Sequence, residues 1–539
     1  MGSTIMFPSS GKGYGAAGAS YQRRSLRGMI AESGSPREDI DLNNQTLRER
    51  ARMLYMASPV AGSAIKTPRT NAIGLGLKMN PKIDRELLGL GREEAERWEK
   101  TVKAEFAIWA EDKTACDATG MNNFYSMQQL AFISWFVSGD VFALVKQREP
   151  DLMHPYSLRL HLIEADRCAT PEVTGFLNIT SAEYGGHMVY DGVEVDADGM
   201  VVAYHFRNKH PGEITMKETK YERVLAYGEK TGMPNVLHIM SSERPEQYRG
   251  VTYLAQIIEP VLQTRRYTES EITAAIVESF FTAFIQTDGN ASELAIGEVG
   301  VEGEEPHQQA SHNPNEYEMG NGNVVMLNKG ESVNFGDPKR PASGFAPFLK
   351  EMCTQIGAAL EIPRDILMKD FNASYSASRG ALLEAWKAFK MYRGWFVDDF
   401  CMPVYGMWMA EAVARGRINA PGFFTSPVIR KAWLGCEWIG PTQGQLDPIK
   451  EVTAEIMSVA AGFSTNSDSA IRINGSDWNQ NMEQIQSEMQ KKQSVPGMED
   501  KDGREDISNK ILNTVYEAVR DAYKEELQGD GKESMQADK

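Results

Sequence analysis

A chain of 539 residues with 42% hydrophobic and 24% charged side chains has an ordinary globular composition, enough for about three to five domains and a sizeable core. Its formal net charge of −17 repels nucleic acid at long range and excludes tight, sequence-independent gripping of DNA, but not a protein that surrounds DNA without holding it. The five cysteines (Cys116, Cys168, Cys353, Cys401 and Cys436) are scattered and never CxxC, as in reduced, mostly buried thiols of a cytosolic product; MGSTIMFPSS lacks the basic and apolar regions of a signal peptide, and LAFISWFVSGDVFALV is cut by Gly139-Asp140 into pieces too short to span a bilayer.

Residues 1–40 are rich in Gly and Ser, with Arg23, Arg24 and Arg27 interspersed, and read as a flexible arm. Over 44–66, Leu47, Ala51, Leu54 and Tyr55 recur at helical spacing, and Pro68 with Gly74 and Gly76 ends that unit. REEAERWEKTVKAEFAIWAED predicts a second helix with Trp98, Val102, Phe106 and Trp109 on one stripe, and YSMQQLAFISWFVS a third. Between 140 and 239 the texture changes. VFALVKQ, LRLHLIEA, HMVYDG, MVVAYHFRN and NVLHIM are short β-rich runs bounded by Gly, Asp and Pro, and predict a mostly antiparallel sheet.

A long helical stretch follows over 251–288, started or kinked by Pro260. Residues 288–335 are polar and turn-rich, ending in a small hairpin of VVML and SVNF around Asn328-Lys329-Gly330. FAPFLKEMCTQIGAALEI returns to helix. A loop of small and hydroxyl-bearing residues follows, and then a helix over about 379–414 carrying Leu382, Trp386, Phe389, Phe396 and Phe400, kinked at Pro403. Past RINAPGFFTSP and a short β-like region, DPIKEVTAEIMSVAAGF predicts a helix with Asp447 as N-cap and Pro448 at the first helical position. SDWNQNMEQIQSEMQKK comes next. The tail after Gln493 is charged, with one helix-capable stretch, ISNKILNTVYEAVRDAYKEEL.

The common chemical motifs are missing. A phosphate loop would read GxxxxGK[ST], but around Gly11-Lys12 the first glycine is Met6, Gly13 stands for Ser/Thr, and no strand precedes it. EVDADG resembles half a calcium loop, yet His205 sits where the closing Glu belongs, and it reads instead as a hairpin turn. His161 and Glu164 make HxxE on a strand, on opposite faces. There is no GxSxG, and the Ser and Tyr residues of NASYSASRG have no matching base. No catalytic residue, metal or cofactor is expected, and the chain does not read as an enzyme.

The fold class expected is α+β. Its informative pattern is long helix, polar insert, helix, small-residue loop, long helix. In TESEITAAIVESFFTAF, apolar residues occupy several faces while Glu269, Glu271 and Glu278 interrupt them. That suits a ring whose subunits meet through apolar flanks and turn an acidic strip to a lumen; an ordinary buried helix is the alternative.

Four segments in order carry a family resemblance: LRERARMLYMASPVAGSAIKTPRTNAIGLGL (with Ser58 where Asn is more usual before the Pro), NVLHIMSSERPEQYRGVTYLAQII, NASYSASRGALLEAWKAF and WIGPTQGQLDPIKEVTAEIMSVAAGFST, the last with Trp438, Gly440, Asp447, Pro448, Lys450 and Glu451 in place. Together they cover about 44–490, and the chain resembles portal proteins of tailed phages, the lambda-like branch. The resemblance implies a homo-oligomeric ring, usually of twelve, at one capsid vertex of the virion. Double-stranded DNA passes through its channel, driven in by a separate terminase and out at infection. Implied partners are the major capsid protein and scaffold, the terminase large subunit, and head-completion or adaptor proteins, with no membrane. The alternative is another phage head or tail ring protein without a translocation role.

By position, the resemblance implies a flexible arm over 1–43, a wing over 44–250, stem helices over 251–287 and 344–362, and a clip over 288–343. It implies a tunnel loop over 363–378, a kinked helix returning to the wing over 379–446, and a crown and charged tail over 447–539. The clip would face terminase and adaptors through Glu304, Glu305, Asn315, Tyr317, Asn321 and Lys329. The tunnel loop would line the channel with Arg364, Lys369, Asn372, Ser374, Tyr375, Ser376 and Arg379; Arg364, Lys369 and Arg379 are the candidates for phosphate contact, with solvated or inter-subunit ion pairs as the alternative.

Overall fold

The computed structural model describes residues 19–20, 23–26, 28–29, 32–171, 181–214, 218–279, 283–287, 331–335, 344–371, 374–444 and 447–493. Of the arm expected over 1–43, residues 1–18, 21–22, 27 and 30–31 lie outside them, and its end is helical: a π-helical turn, Arg37–Asp41, with Ile40 and Asp41 buried, runs into the helix that starts at Leu42. The chain forms two compact units. Unit one gathers Met1–Arg52, Met79–Tyr253 and Trp395–Trp438; unit two gathers Met53–Lys78, Leu254–Gly394 and Ile439–Lys539.

The first predicted helix is two: α1, Leu42–Ala57, and α2, Pro59–Pro68. The break falls at Ser58, because the residue before a proline is driven out of the helical region. Ser58 is extended (φ −108°, ψ 121°), and its Oγ accepts a bond from the Ala61 N–H, so it caps α2 while Pro59 occupies the first turn. A π-helical turn, Arg69–Ile73, prolongs α2. After β1, Lys78–Pro81, and α3, Arg85–Leu88, come α4, Arg92–Ala110, α5, Lys113–Cys116, and α6, Phe124–Ser138. On α4 the predicted stripe is buried at Val102, Phe106 and Trp109, while the Trp98 Nε1–H donates to the Asn419 carbonyl (2.8 Å).

The β-rich region becomes two antiparallel sheets. The strands are β2, Asp140–Gln147; β3, Leu158–Glu164; β4, Ser181–Tyr184; β5, His187–Tyr190; β6, Val193–Val195; β7, Val201–Arg207; β8, Tyr221–Leu225; and β9, Val236–Met240. One sheet has the order β3-β2-β9; the other is the meander β4-β5-β6-β7-β8. The Asp-Ala-Asp-Gly stretch is the β6–β7 turn: Asp196 Oδ1 accepts from the Asp198 and Met200 N–H groups (3.0 and 2.9 Å) and Gly199 has φ +84°. Phe142, Leu144, Val193, Val195, Tyr204 and Phe206 pack into one core across both sheets. A second core is aromatic: Phe106 lies edge-on to Trp408 (5.0 Å) and Phe124 stacks on Phe400 (5.6 Å). All five cysteines are free, four of them buried.

Unit one is tied at the start of β2 by a buried ionic network. Asp140 and Arg249 are wholly inaccessible; Arg249 Nε meets Asp140 Oδ2 at 2.6 Å and its Nη1 meets Asp191 Oδ2 at 2.7 Å. The same guanidinium donates to the carbonyls of Ala165 (2.9 Å), Cys168 (3.1 Å) and Asp191. Arg48 on α1 approaches Asp140 (3.8 Å) and Asp191 (3.5 Å), and donates to the Ser138 carbonyl (3.1 Å). Burial alone would push Asp140 up; Arg249 and Arg48 overcome it and hold the carboxyl well below its usual range. Beside the network, a Cβ on Gly250 would lie 1.9 Å from the Gly139 carbonyl oxygen, so only glycine admits this approach.

Unit two holds α7, Ile258–Ser279, with Pro260 in its first turn, so the proline starts the helix and does not kink it. The helix predicted to run to 288 stops at Ser279. Residues 283–287 form β10, Ala283–Thr287, antiparallel to β11, Glu331–Phe335, with Phe284 opposite Asn334. SVNF is thus a strand as predicted, while VVML and the turn at Asn328-Lys329-Gly330 lie outside the described residues. AFIQT carries β-favouring Phe, Ile and Thr, which pair with a strand more than forty residues away that local periodicity does not reveal. Next come α8, Phe345–Ala359, α9, Arg364–Met368, and α10, Tyr375–Phe396. Back in unit one, the predicted disturbance at Pro403 is a π-helical turn, Val397–Cys401, just before α11, Met402–Ala414, as expected where a proline removes a helical donor. Then follow α12, Pro427–Trp433, β12, Cys436–Ile439, which pairs with β1, and α13, Pro448–Ala460, α14, Asn466–Asn474, and α15, Trp478–Gln493. Asp447 caps α13 as predicted, its carboxylate accepting from the Lys450 N–H at 3.3 Å.

Two expectations follow for unit one. Arg249→Met leaves Asp140 and Asp191 without their buried cation and should cost about 3–5 kcal/mol in denaturant unfolding. Glu194, buried on the meander, takes Arg223 Nε and Nη2 at 2.7 and 2.8 Å and has His187 and His205 nitrogens at 2.8 and 2.9 Å. The Arg223 bonds lower its pKa to about 2. A depressed carboxyl stabilises the fold above its unfolded pKa of 4.5 and loses that contribution as pH falls toward 2. Glu194→Gln should therefore lower the thermal midpoint at neutral pH and flatten its fall between those values.

Candidate nucleic-acid interface

The segment joining α8 to α10 holds the predicted channel residues, and its backbone is tightly determined. After α8 the chain folds back so closely that a Cβ on Gly357 would lie 2.4 Å from the Ile362 carbonyl oxygen. Glu361 takes a left-handed conformation (φ +54°), and its carboxylate accepts the Tyr392 hydroxyl (2.9 Å). The single turn α9 buries Ile366 and Leu367, and the Leu367 carbonyl accepts Ser63 Oγ–H at 2.6 Å, fastening α9 to α2. Lys369 closes the turn in the left-handed region (φ +56°), its N–H returning to the Asp365 carbonyl.

The loop predicted over 363–378 is therefore short. Its first part is α9, and α10 begins at Tyr375 instead of near Arg379. Ser374 explains the early start: its carbonyl accepts from the Ser378 N–H (2.9 Å) and its Oγ from the Ala377 N–H (3.4 Å), a helix cap built from one of the small polar residues that suggested a loop.

The predicted site residues part company. Arg364 is partly buried between Asp365 (2.5 Å) and Asp370 (3.4 Å), and Arg379 lies 4.0 Å from Glu451; both have partners within their own chain. Lys369 is exposed and makes no ion pair among the described residues. Ser376 is exposed on the first turn of α10. Asn372 and the Tyr375 side chain lie outside the described residues. On α7, Glu269 is exposed and paired with Arg265 one turn away (2.8 Å), and Glu271 is half-buried. The Glu278 side chain, and all of Glu304, Glu305, Asn315, Tyr317, Asn321 and Lys329, lie outside the described residues. Tyr267 packs on Phe345 and Phe348 of α8 (5.6 and 4.6 Å), whereas Ile272 and Ile276 are 55% and 53% exposed.

Sequence reasoning missed Arg393. From α10 it reaches the carbonyls of Asn71 (2.9 Å), Ala72 (2.8 Å) and Pro441 (2.7 Å), and burial lowers its pKa to about 10. No local pattern marks it, because its acceptors are backbone oxygens far off in sequence. For metals, Glu164, Asp166 and His210 bring ligand atoms within 4.8 Å of one another; His161 is not among them, and Asp166 is already paired with Arg52.

A model of lambda-family phage portal proteins matches residues 22–393, and the chain belongs to that family. It is similar to portal protein B of Escherichia phage lambda, at 22% identity over 456 residues (81% of this chain, 83% of that protein), and to the portal protein of Escherichia phage N15, at 21% over 467 residues (84% and 85%). Among solved structures it is similar to a chain of the neck of a native gene transfer agent particle computed with C12 symmetry, at 13% identity and TM-score 0.40 (80% of this chain, 92% of that one). Another is a chain of the empty-particle neck computed with C6 symmetry, at 14% and 0.42, with the same shares covered.

Lysine cannot reproduce the guanidinium fork, so Arg393→Lys should leave at least one buried carbonyl unsatisfied and cost about 1–3 kcal/mol, read as a lower urea midpoint with unchanged slope.

Proposed function

We propose that the chain is the portal subunit of a tailed phage. About twelve copies close into a ring at one vertex of the capsid, and duplex DNA passes through the central channel. The family membership over residues 22–393 is the observation that carries this reading. In this reading residues 44–250 are the wing, 251–287 and 344–362 the stem, 288–343 the clip, 363–378 the tunnel loop, 379–446 the kinked helix returning to the wing, and 447–539 the crown and tail. The clip docks the terminase large subunit during packaging and head-completion or adaptor proteins afterwards. Capsid and scaffold proteins surround the ring, and the same channel releases the genome at infection. The motor is the separate terminase, and this subunit performs no catalysis.

Exposed apolar surface supports the ring. Ile272 and Ile276 of α7 are half-exposed, and α13 buries no residue although Ile449, Val452 and Ile456 recur along one of its faces. Large exposed aliphatics at helical spacing mark a surface that another chain covers. The acidic balance suits a conduit, since a channel that bound phosphate along its whole length would stall transport.

Electron microscopy with native mass on the same purified sample tests this. Rings with a central hole of about 20 Å or more, the width of the B-DNA duplex with its grooves, are the expected result. Stable monomers at high concentration, even with scaffold or capsid protein added, would overturn it. Replacing Ile272 and Ile276 together by Asp should shift the native mass from ring to monomer while far-UV circular dichroism stays unchanged.

A further inference from the structure

We propose that the groove between α2 and the α9 turn is a backbone-phosphate contact for duplex DNA, with Lys66 and Lys369 as its cations. The proposal rests on the portal reading and adds to it a site and a residue, Lys66, from outside the predicted channel loop.

Both walls of the groove belong to unit two, and its volume is about 530 Å³. One wall is the end of α1 with α2, the other Leu367, Met368 and Lys369. Among the described residues, Lys66 and Lys369 are the only charged side chains lining it, and no carboxylate does, in a chain where 74 acidic residues outnumber 57 basic ones. Several other cations of this unit sit on carboxylates, Arg265 on Glu269, Arg364 on Asp365, Lys387 on Glu384 and Arg472 on Glu455, and Arg393 sits on backbone carbonyls. Lys66 and Lys369 make no such pair among the described residues. The Lys66 ammonium lies 5.9 Å from the Tyr55 ring centroid, a contact that orients the charge without neutralising it.

The walls are held in place. Ser63 Oγ–H donates to the Leu367 carbonyl at 2.6 Å, and Lys369 is locked in the left-handed region at the end of α9. Two positive charges thus stand on a fixed frame around an open trough. The ligand is an anion that a point charge can hold in many positions. Lysine offers a mobile ammonium and no planar fork, so it favours a phosphate passing by over a fixed carboxylate or phosphate monoester clamped in one geometry. Ser58 is occupied as the cap of α2, and the remaining lining is largely apolar. Nothing there reads a base edge, so the contact is sequence-independent.

The experiment measures binding of a fluorescein-labelled mixed-sequence duplex to assembled full-length rings by anisotropy across a NaCl series. Wild type is compared with Lys66→Gln, Lys369→Gln and, as control, Lys390→Gln on the exposed side of α10. The plot of log K against log salt should lose about one unit of slope with either groove variant, as expected for each phosphate contact removed. Lys66→Arg should keep the wild-type slope, and so should the control. Rings whose slope is unchanged by Lys66→Gln, or changed as much by Lys390→Gln, overturn the groove and leave the portal reading standing. Rings that bind no duplex at low salt overturn the groove in the same way. Failure of the wild type to form rings overturns the portal reading and the groove with it.

Discussion

Unit one depends on placing one guanidinium. Arg249 has no access to solvent, and a buried ion costs several kcal/mol unless every donor is met. Its partners come from the start of β2, the 165–168 segment and the β5–β6 turn, while α1 adds Arg48 beside the same two carboxylates. Each of these segments is positioned by the same requirement. The close approach of Gly139 and Gly250 serves it, because Asp140 Oδ2 also accepts the Gly250 N–H (3.1 Å). Removing one charge would strand the others, so the network acts as a single element.

This casts the family-like motifs in a particular light: several of them are joints. Ser58-Pro59 ends one helix and caps the next. Arg249-Gly250, in the stretch that leads into α7, is the buried cation and its glycine neighbour. Ser374 starts α10, and Asp447-Pro448 starts α13. In unit two, Gly440 and Pro441 lie against Arg393, Leu77 and Gly74, where added Cβ atoms would collide. The recognisable residues of this family member include those that set where helices begin, end and meet.

The same logic separates the cations near the predicted channel loop. Arg379 comes within 4.0 Å of Glu451, and Arg364, also chosen for charge and position, turns to Asp365 of its own chain, where a charge-assisted bond is the stronger use of a guanidinium. Lys369 does not. It faces a groove whose other cation, Lys66, lies on a helix 303 positions earlier in the sequence (369 − 66). Charge at a position is visible in a sequence, whereas the presence of a compensating partner is a property of the fold.

By itself the sequence determined whatever depends on neighbours within a few residues. The stripe on α4, the span of α6, the cap of α13, the disturbance of the helix at Pro403 and the β-rich character of 140–239 follow from periodicity, capping and proline geometry, and were legible. So was the family, because its motifs are short and ordered. Tertiary structure alone decided what depends on distant partners. It split the strands into two sheets and turned AFIQT from the end of a helix into a strand against 331–335. It brought Arg249 to Asp140 across 109 positions and Ser63 to Leu367 across 304. The physical reason is that a backbone or side-chain donor must be satisfied by some acceptor, but local sequence does not say which one the folded chain will bring within 3 Å.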